Sequence, residues 1–502
     1  MTLTRSLRFT SFSLSSSLGE GNAASFQKSL EIPDDFVGGL YDVDSPGDLS
    51  THRDLESFCL DASPLPPKID NLNKASLASV GKTPGYHILR ENSTNYQLDK
   101  VAERIKMKYR QLLQTTFKNS KNKSIASDQR CHPTIMEYRC SGSASSRCGG
   151  MGDRLRGVAA TFFMALLTNS VFSIKWDYPT DLENYFEPAF LPHHQVAEQY
   201  YPENPHELVV RVIDDEEDIV WLLSDITRMR HMFRQYDKVV MEINSLVPLE
   251  VLLSHPYYRS LVDFYDITNF SYSELFSIAM RVFLPQYSPQ LKTAVEPYLK
   301  TLSNSRYDGT FGVQIRLGST SWNEAGRVGS SQVGCFMEQV ANISYENNYK
   351  QVVVFATADS QMALDQLQAM AKKQQGLSID LITAADTAEI THIDRTNFKG
   401  DNQEQQVLRT FVDWSVLASP LIKHLVISRS SFGETASLLR MSAKPVRRLS
   451  HNVTDSCIFH DFEMTSVWME SSAVSKIDNT FKLKLKLIFM SIFITNTLSR
   501  LL

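Results

Sequence analysis

Residues 351 to 372 read QVVVFATADSQMALDQLQAMAK: a short apolar stretch, a polar junction and a segment with apolar residues at helical spacing. Gln351 to Ala356 is dense in valine and does not alternate with polar residues, which predicts a buried strand. Ser360 to Lys372 predicts a helix. A strand followed directly by a helix is the repeating unit of a parallel sheet covered on both faces.

The same alternation extends to both sides of this stretch. The predicted elements are strands at Phe311 to Ile315, Ser378 to Ile382 and His424 to Ser428, and helices at Gln332 to Asn347, Gln403 to Ser419 and from near Gly433. Residues 302 to 450 are therefore predicted to form a doubly wound α/β domain.

A second α/β unit is predicted upstream. Asp153 to Leu167 has an apolar helical face, Val171 to Trp176 follows as a strand, and Leu208 to Ile213 is a further strand candidate. Helices are predicted around Trp221 to Tyr236 and from Leu98 to Phe117. The predicted organisation is an irregular arm with one helix (1–125), an α/β domain (126–300), the doubly wound domain (301–470) and a tail (471–502).

Composition limits the classes of function. With 502 residues and 42% hydrophobic residues, the chain can bury two cores of ordinary size. The net charge of -5 gives no global attraction for a polyanion, so nucleic-acid binding has no support. Any anion site must be local.

Three of the six cysteines, Cys131, Cys140 and Cys148, lie within eighteen residues. Their spacing fits neither a paired zinc motif nor a dense disulfide scaffold. Two alternatives stay open at this point: one or two disulfides that involve these cysteines in an oxidising compartment, or free buried thiols.

Three features of the sequence bear on the location of the protein in the cell. Five Asn-x-Ser/Thr sequons give slight support for a secretory location; they begin at Asn92, Asn122, Asn269, Asn342 and Asn452. The first 26 residues contain no apolar run of the length of a signal-peptide core. Leu487 to Leu498 is apolar but interrupted by polar residues, so it is expected to be an interfacial membrane segment or a buried terminal helix.

A run of glycines and arginines precedes the upstream helix: Cys-Gly-Gly-Met-Gly-Asp-Arg-Leu-Arg-Gly, residues 148 to 157. Glycines before a helix allow close backbone approach to a ligand, and the positive helix end favours an anion. Gly150, Gly152, Arg154 and Arg156 are therefore candidate ligands of a phosphate. The alternative is a tight turn whose arginines face solvent.

Arg316 follows the strand that ends at Ile315, with Gln314 beside it. The carboxyl ends of strands are where doubly wound folds bind ligands. A guanidinium fork suits a pair of diphosphate oxygens. Arg316 is thus predicted to hold a diphosphate, with a structural ion pair as the alternative.

Two more motifs follow strand ends. Asp359 is a candidate acceptor for a guanine or ribose donor, or a helix N-cap. Ser430, Ser431, Phe432 and Gly433 offer hydroxyls and amides to phosphate oxygens, or form a capping box with Glu434. Three motifs at the strand ends of one sheet, facing the glycine turn of the other domain, are predicted to line one cleft.

This ordered combination resembles the superfamily of α1,2-, α1,6- and protein O-fucosyltransferases. The run from Gly149 to Gly157 is similar to its amino-terminal glycine motif, Gln314 to Gly318 to its His-x-Arg-x-Gly-Asp motif, and Ser430 to Gly433 to its third donor motif. Gln314 stands where histidine is usual, Ser319 where an acidic residue is usual, and Asp153 where one version has asparagine.

The resemblance implies a GT-B fold, in which two Rossmann-like domains face a central cleft, and GDP-fucose as the donor. It also implies metal-independent, inverting transfer to a glycan or protein hydroxyl in the Golgi or endoplasmic reticulum, without a cofactor. Arg316 would neutralise the leaving diphosphate. Asp153, Glu324 and Asp413 are candidates for the base, and Asp153 is the one selected. The alternative function is a catalytically silent protein that binds a GDP-sugar or a glycan.

Overall fold

The structure is a computed structural model, and the residues it describes all fall within one compact unit, Leu65–Leu502. The described residues are 97–109, 134–140, 149–168, 170–187, 206–212, 236–244, 267, 270, 272–284, 286–318, 328–384, 403–440, 446–450 and 457–462. The predicted tail, most of the predicted arm and nearly all of the segment from Trp221 to Tyr236 lie outside them.

The carboxy-terminal half contains a six-stranded sheet. Its strands are β7 Gly309–Ile315, β8 Gln351–Ala358, β9 Ser378–Ile382, β10 His424–Ile427, β11 Val446–Leu449 and β12 Phe459–Phe462. The spatial order is β12-β11-β10-β7-β8-β9, and every pair is parallel except the antiparallel pair β11 and β12. The four strands predicted from the sequence are confirmed, and β11 and β12 were not predicted.

Four helices alternate with these strands: α4 Val333–Glu346, α5 Gln361–Ala371, α6 Gln403–Leu417 and α7 Ser431–Arg440. Each contributes buried apolar residues to the core around the sheet. All four were predicted. The last begins at Ser431, two residues earlier than the prediction.

A four-stranded parallel sheet forms the core of the amino-terminal half, in the order β2-β1-β5-β4. Its strands are β1 Ile135–Cys140, β2 Val171–Trp176, β4 Glu207–Val212 and β5 Lys238–Ile243, and α1 Met151–Thr168 packs on it. The helix α1 and the strands β2 and β4 confirm the prediction of an α/β unit. The predicted architecture is thus present: a doubly wound α/β unit in the carboxy-terminal half and a second α/β unit in the amino-terminal half.

Strands β1 and β5 were not predicted because charged residues interrupt their apolar pattern. Glu137 is buried in β1, where Arg139 and Lys238 contact its carboxylate at 2.8 and 2.7 Å. Arg139 also pairs with Glu207 of β4 at 2.9 Å. A charge inside a sheet is tolerated when it is paired in this way.

Further elements complete the amino-terminal half: β3 Phe186–Glu187, which pairs with β6 Gln286–Tyr287, and the helices α2 Tyr272–Phe283 and α3 Pro289–Leu302. Residues 97–109 are also helical, as predicted. Tyr109 in this helix is fully buried and accepts a hydrogen bond from the backbone N–H of Phe172 in β2. Among the described helices, none has both the length and the apolar character needed to cross a membrane.

A disulfide that the sequence did not predict joins Cys335 of α4 to Cys457, just before β12. It ties the antiparallel edge strand to a helix across a separation of 122 residues. Closing a loop of that length restricts the unfolded chain and contributes about 4 to 5 kcal/mol in the chain-entropy account. Cys140 is also disulfide-bonded, and its partner lies outside the described residues.

Asp413, one of the predicted base candidates, is buried on α6 under the end of β8. Its Oδ2 accepts a hydrogen bond from the Thr357 hydroxyl at 2.8 Å and lies 3.9 Å from Arg409 Nε, while Oδ1 accepts no hydrogen bond from any residue that the structure describes. Burial raises the pKa of Asp413 to about 6, against the opposing effects of Arg409 and Thr357. The Asp413 carboxylate thus lies in the protein interior, beside β8 of the six-stranded sheet.

The raised pKa predicts a pH-dependent cost of folding. The folded chain holds the Asp413 proton more tightly than the unfolded chain does. The contribution of this group to the free energy of unfolding is therefore fully present below pH 4 and is lost as the pH rises through 6. The loss is about 3 kcal/mol by neutral pH.

Asp413→Asn should therefore gain stability relative to wild type between pH 4 and pH 7, as measured by urea denaturation at both values. Asp365→Asn on the exposed face of α5 is the control for removing a carboxylate without touching the buried site. A difference between wild type and Asp413→Asn that is the same at both pH values would contradict this account.

Candidate donor-nucleotide site

The three strands that carry the predicted motifs are neighbours in the second sheet. In the order β10-β7-β8, Ile427 lies beside Gln314 and Ile315 beside Ala358. Since parallel strands end at the same edge, Ser428, Arg316 and Asp359 follow at one side of the sheet. The prediction that these strand ends are adjacent is confirmed.

Gly152, the second residue of α1, packs directly against the start of α7. A Cβ atom built on Gly152 would lie 2.2 Å from the carbonyl oxygen of Ser431 and 2.6 Å from the amide nitrogen of Phe432. No side chain fits there, so the contact requires glycine. Gly152 of the glycine motif and the serine motif that begins α7 are thus in contact, and the prediction that the motifs line one cleft stays a prediction.

This contact brings two helix amino termini together. The first N–H groups of a helix have no partner within the helix, and each amino terminus carries roughly half an elementary positive charge. Two such ends beside the strand edge that carries Arg316 form an arrangement suited to an anion. Among the described residues, no group of three His, Cys, Asp or Glu side chains is placed to hold a metal ion.

The side chain of Gln314 is 4% exposed and packs against Gly433 in the first turn of α7. Its Oε1 lies 3.2 Å from the Ser428 hydroxyl, and a Cβ on Gly433 would come within 2.6 Å of the same oxygen. Ser428 in turn accepts a hydrogen bond from the Arg316 backbone N–H at 2.8 Å. Gln314 was predicted as a donor ligand, but its amide is engaged inside the protein.

Asp359 holds the turn that follows β7. Its two carboxylate oxygens accept hydrogen bonds from the backbone N–H groups of Leu317 and Gly318, at 2.8 and 2.9 Å. Gly318 has a φ of 78°, a conformation that favours glycine. Asp359 was predicted to bind guanine or ribose or to cap a helix. In the structure both of its carboxylate oxygens instead accept hydrogen bonds from the turn after β7.

Arg316 faces this same carboxylate. Its Nε lies 3.5 Å from Asp359 Oδ2, and its side chain is 11% exposed. The sequence predicted an arginine that projects into a cleft, with a structural ion pair as the alternative. The structure shows a largely enclosed side chain that is paired with an acid, as in the alternative. The distance of 3.5 Å between Nε and Oδ2 is long for a hydrogen bond, so we interpret the pair as an electrostatic contact that orients the guanidinium.

Arg154, predicted to bind the donor, is instead fully buried behind the glycine turn. Its Nε donates to the carbonyl of Gly149 at 2.9 Å, its Nη1 donates to the carbonyl of Tyr178, and its guanidinium lies 5.2 Å from the centre of the Trp176 ring. These contacts fix the shape of the turn. A guanidinium that is surrounded by carbonyls and aromatic rings cannot reach a ligand at the surface.

Arg156 likewise has an internal role, in an ion-pair triad with Glu434 and Arg448. Glu434 Oε2 binds Arg156 of α1, and Oε1 lies 3.2 Å from Arg448 of β11. Glu434 therefore connects the first sheet's helix to the second sheet. Its carboxylate is committed to the two arginines, so the capping box with Ser431 that the sequence allowed does not form.

Asp153 caps the glycine turn. Its Oδ2 accepts a hydrogen bond from the Gly150 backbone N–H at 3.1 Å, and it packs under Gly149, which has a φ of 73°. Asp153 was selected as the catalytic base, and in the structure its carboxylate stabilises the glycine turn. Glu324 and Ser319 lie outside the described residues.

Sequence reasoning missed three residues of the site. Ser428 was predicted only as the last residue of a strand, Glu434 was considered only as a cap, and Tyr178 lies just after β2. The signal available for Ser428 was its position directly after a buried strand. No comparable signal exists for the carbonyl of Tyr178, because any residue has one.

No family model matches the chain, and no curated protein matches it. Among solved structures, the chain is similar to a mutant of Arabidopsis thaliana FUT1 in complex with GDP, at 15% identity and a TM-score of 0.46 over 72% of this chain and 80% of that one. It is also similar to POFUT1 in complex with GDP, at 10% identity and a TM-score of 0.38 over 64% and 99% of the two chains.

The contact at Gly152 predicts that alanine is not tolerated there. Gly152→Ala must push the Ser431 to Phe432 peptide away, which should cost about 1 to 3 kcal/mol in the free energy of unfolding. Gly334→Ala on α4 is the matched control, because its Cβ would meet only the flexible end of Met370. It should be neutral or slightly stabilising. Equal stabilities in urea denaturation would contradict the contact.

The ion-pair triad predicts a large effect of Glu434→Gln. This change leaves Arg156 and Arg448 without their buried carboxylate and should cost about 3 to 5 kcal/mol. The neighbouring Arg447 pairs with the more exposed Asp461 at 2.7 Å, so Asp461→Asn is the matched control and should cost no more than about 1 kcal/mol. Denaturation midpoints that shift equally would refute the role of Glu434.

Proposed function

We propose that this protein is a glycosyltransferase that transfers fucose from GDP-fucose to a hydroxyl of a glycan or protein, with inversion and without a metal ion. The observation that carries the proposal is the contact between Gly152 and the Ser431 to Phe432 peptide beside Arg316. It gathers the three motifs that resemble fucosyltransferase donor motifs at one point of the fold.

The electrostatics of this point support a diphosphate as the ligand. Two helix amino termini meet there, and the contacts around them involve four arginines, Arg154, Arg156, Arg316 and Arg448, and three carboxylates, Asp153, Asp359 and Glu434. The buried arginines would not touch the ligand. They would contribute positive potential and, in the case of Arg154, fix the backbone of the glycine turn. Arg316 is the cation proposed to approach the ligand, and Asp359 is its positioning residue.

In the proposed reaction, an acceptor hydroxyl oxygen forms a bond to the anomeric carbon of fucose as the bond to the GDP oxygen breaks. The hydroxyl proton passes to a base, and negative charge develops on the leaving diphosphate. Groups that stabilise this developing charge lower the barrier most, which is the task assigned to Arg316 and the helix ends. Asp153 stays the proposed base, in competition with its hydrogen bond to Gly150.

A second candidate is a catalytically silent protein that binds a GDP-sugar or a glycan. The observation that favours it is the engagement of every carboxylate described at the site: Asp153 with Gly150, Asp359 with Leu317 and Gly318, and Glu434 with two arginines. Gln314, at the position where the resembling family has histidine, has no proton to exchange at neutral pH.

We also propose a location in the secretory pathway, in the Golgi or endoplasmic reticulum. The support is the Cys335–Cys457 disulfide, because structural disulfides persist in oxidising compartments. Membrane association through the terminal apolar segment stays part of the proposal.

Replacing Arg316 tests the proposed function. Arg316→Ala should lower kcat for fucose transfer by roughly 10²- to 10³-fold, since it removes a cation from the developing charge. Arg316→Lys keeps the charge without the planar fork and should fall between Arg316→Ala and wild type. The control is Arg306→Ala, which removes a guanidinium that pairs on the surface with Asp380.

The measurements are GDP-fucose turnover across a panel of glycan and protein acceptors and calorimetric titration with GDP. Transfer that is unaffected by Arg316→Ala would contradict the mechanism. GDP binding by wild type without any transfer would favour the silent binder. A wild-type protein that binds no GDP would contradict the fucosyltransferase and the GDP-sugar binder, and binding to neither GDP nor any glycan of the panel would contradict both candidates.

A further inference from the structure

Asn342 lies on the exposed side of α4 and begins the sequon Asn342-Ile343-Ser344. The two following residues are buried, and the Ser344 hydroxyl donates to the carbonyl of Val340 at 2.7 Å. The acceptor amide is thus presented to solvent from a helix that its neighbours hold in place. A sequon alone is a frequent chance pattern, so its surroundings decide what it means.

The first of these surroundings is the disulfide on the same helix. Cys335 lies two turns before Asn342 and is joined to Cys457. Structural disulfides persist in oxidising compartments, in agreement with the location proposed above. In eukaryotic cells, sequons receive their glycans in that environment.

The second is a shallow groove of about 370 Å³ beside the acceptor. It is lined by Gln339, Asn342, Tyr345, Glu346, Arg447 and Phe459. Tyr345 lies three residues after Asn342, is 51% exposed, and its hydroxyl donates to the carbonyl of Gln375 at 3.1 Å. An exposed aromatic face held beside planar polar groups is suited to the apolar face and the hydroxyls of a sugar ring.

The groove is also away from the donor site. Four residues after the end of α4, the chain enters the amino-terminal end of β8. The donor motifs follow the carboxyl ends of β7, β8 and β10. A glycan on Asn342 would therefore extend from the opposite edge of the sheet and leave the donor site open.

We propose that Asn342 carries an N-linked glycan whose first sugar lies over Tyr345 in this groove. In the modification, Asn342 Nδ2 forms a bond to C1 of the first sugar of a lipid-linked oligosaccharide diphosphate, and the bond from C1 to the diphosphate oxygen breaks. The amide gives up one proton, and the lipid diphosphate leaves. The proposal does not depend on the function of the donor site.

The test uses the full chain purified from a eukaryotic secretory host. Enzymatic release of N-glycans in heavy-oxygen water converts a modified Asn342 to labelled Asp, which peptide mass spectrometry detects. Asn342→Gln should lose the mass of one glycan. Asn347→Gln, which changes an exposed asparagine at the end of the same helix outside any sequon, should lose none.

Nitration of Tyr345 is the second measurement. The tyrosine should react more slowly in the glycosylated protein than after enzymatic removal of the glycan. An unlabelled Asn342 in the purified protein would overturn the proposal, whether or not other sequons are modified. Equal nitration of Tyr345 before and after removal would overturn it as well, because the sugar would then not occupy the groove.

Discussion

The contact between Gly152 and the peptide that joins Ser431 to Phe432 is the constraint on which the site depends. With no room for a Cβ, it sets how closely the helix of the first sheet approaches the helix of the second. Glu434 of α7 stabilises the contact, because its carboxylate pairs with Arg156 of α1 and with Arg448 of β11. The two helix starts are therefore held at a fixed separation beside the strand ends, and an anion that binds there meets a site prepared in advance.

The arginines around this point have partners inside the protein. Arg154 and Arg156 are used to shape the turn and to join the two sheets, and the guanidinium of Arg316 is oriented by Asp359. Buried arginines of this kind need carbonyl or carboxylate partners, because an unpaired charge inside a protein is costly. Each partner also removes a degree of freedom, so the arrangement gains rigidity where a ligand would need it.

The sequence predicted the fold where strands are continuous and apolar, as in the valine-rich β8, and where a helix follows directly. It failed at β1 and β5, whose charged residues are compensated by partners far away in the chain, such as Glu207 for Arg139. The same limit applies to the site. The order of the motifs predicted that Gly152, Ser431 and Arg316 would converge, but nothing in the sequence indicates that Arg154 meets a carbonyl or that Asp359 holds a turn.

The most direct test is a crystal structure of the protein with GDP bound. The account predicts diphosphate oxygens within hydrogen-bond distance of Arg316 and of a backbone N–H at the start of α1 or α7, with Gly152 still packed against Ser431. A nucleotide bound elsewhere, or a diphosphate that touches neither helix start, would contradict the central claim that the meeting of these two helix ends creates the donor site.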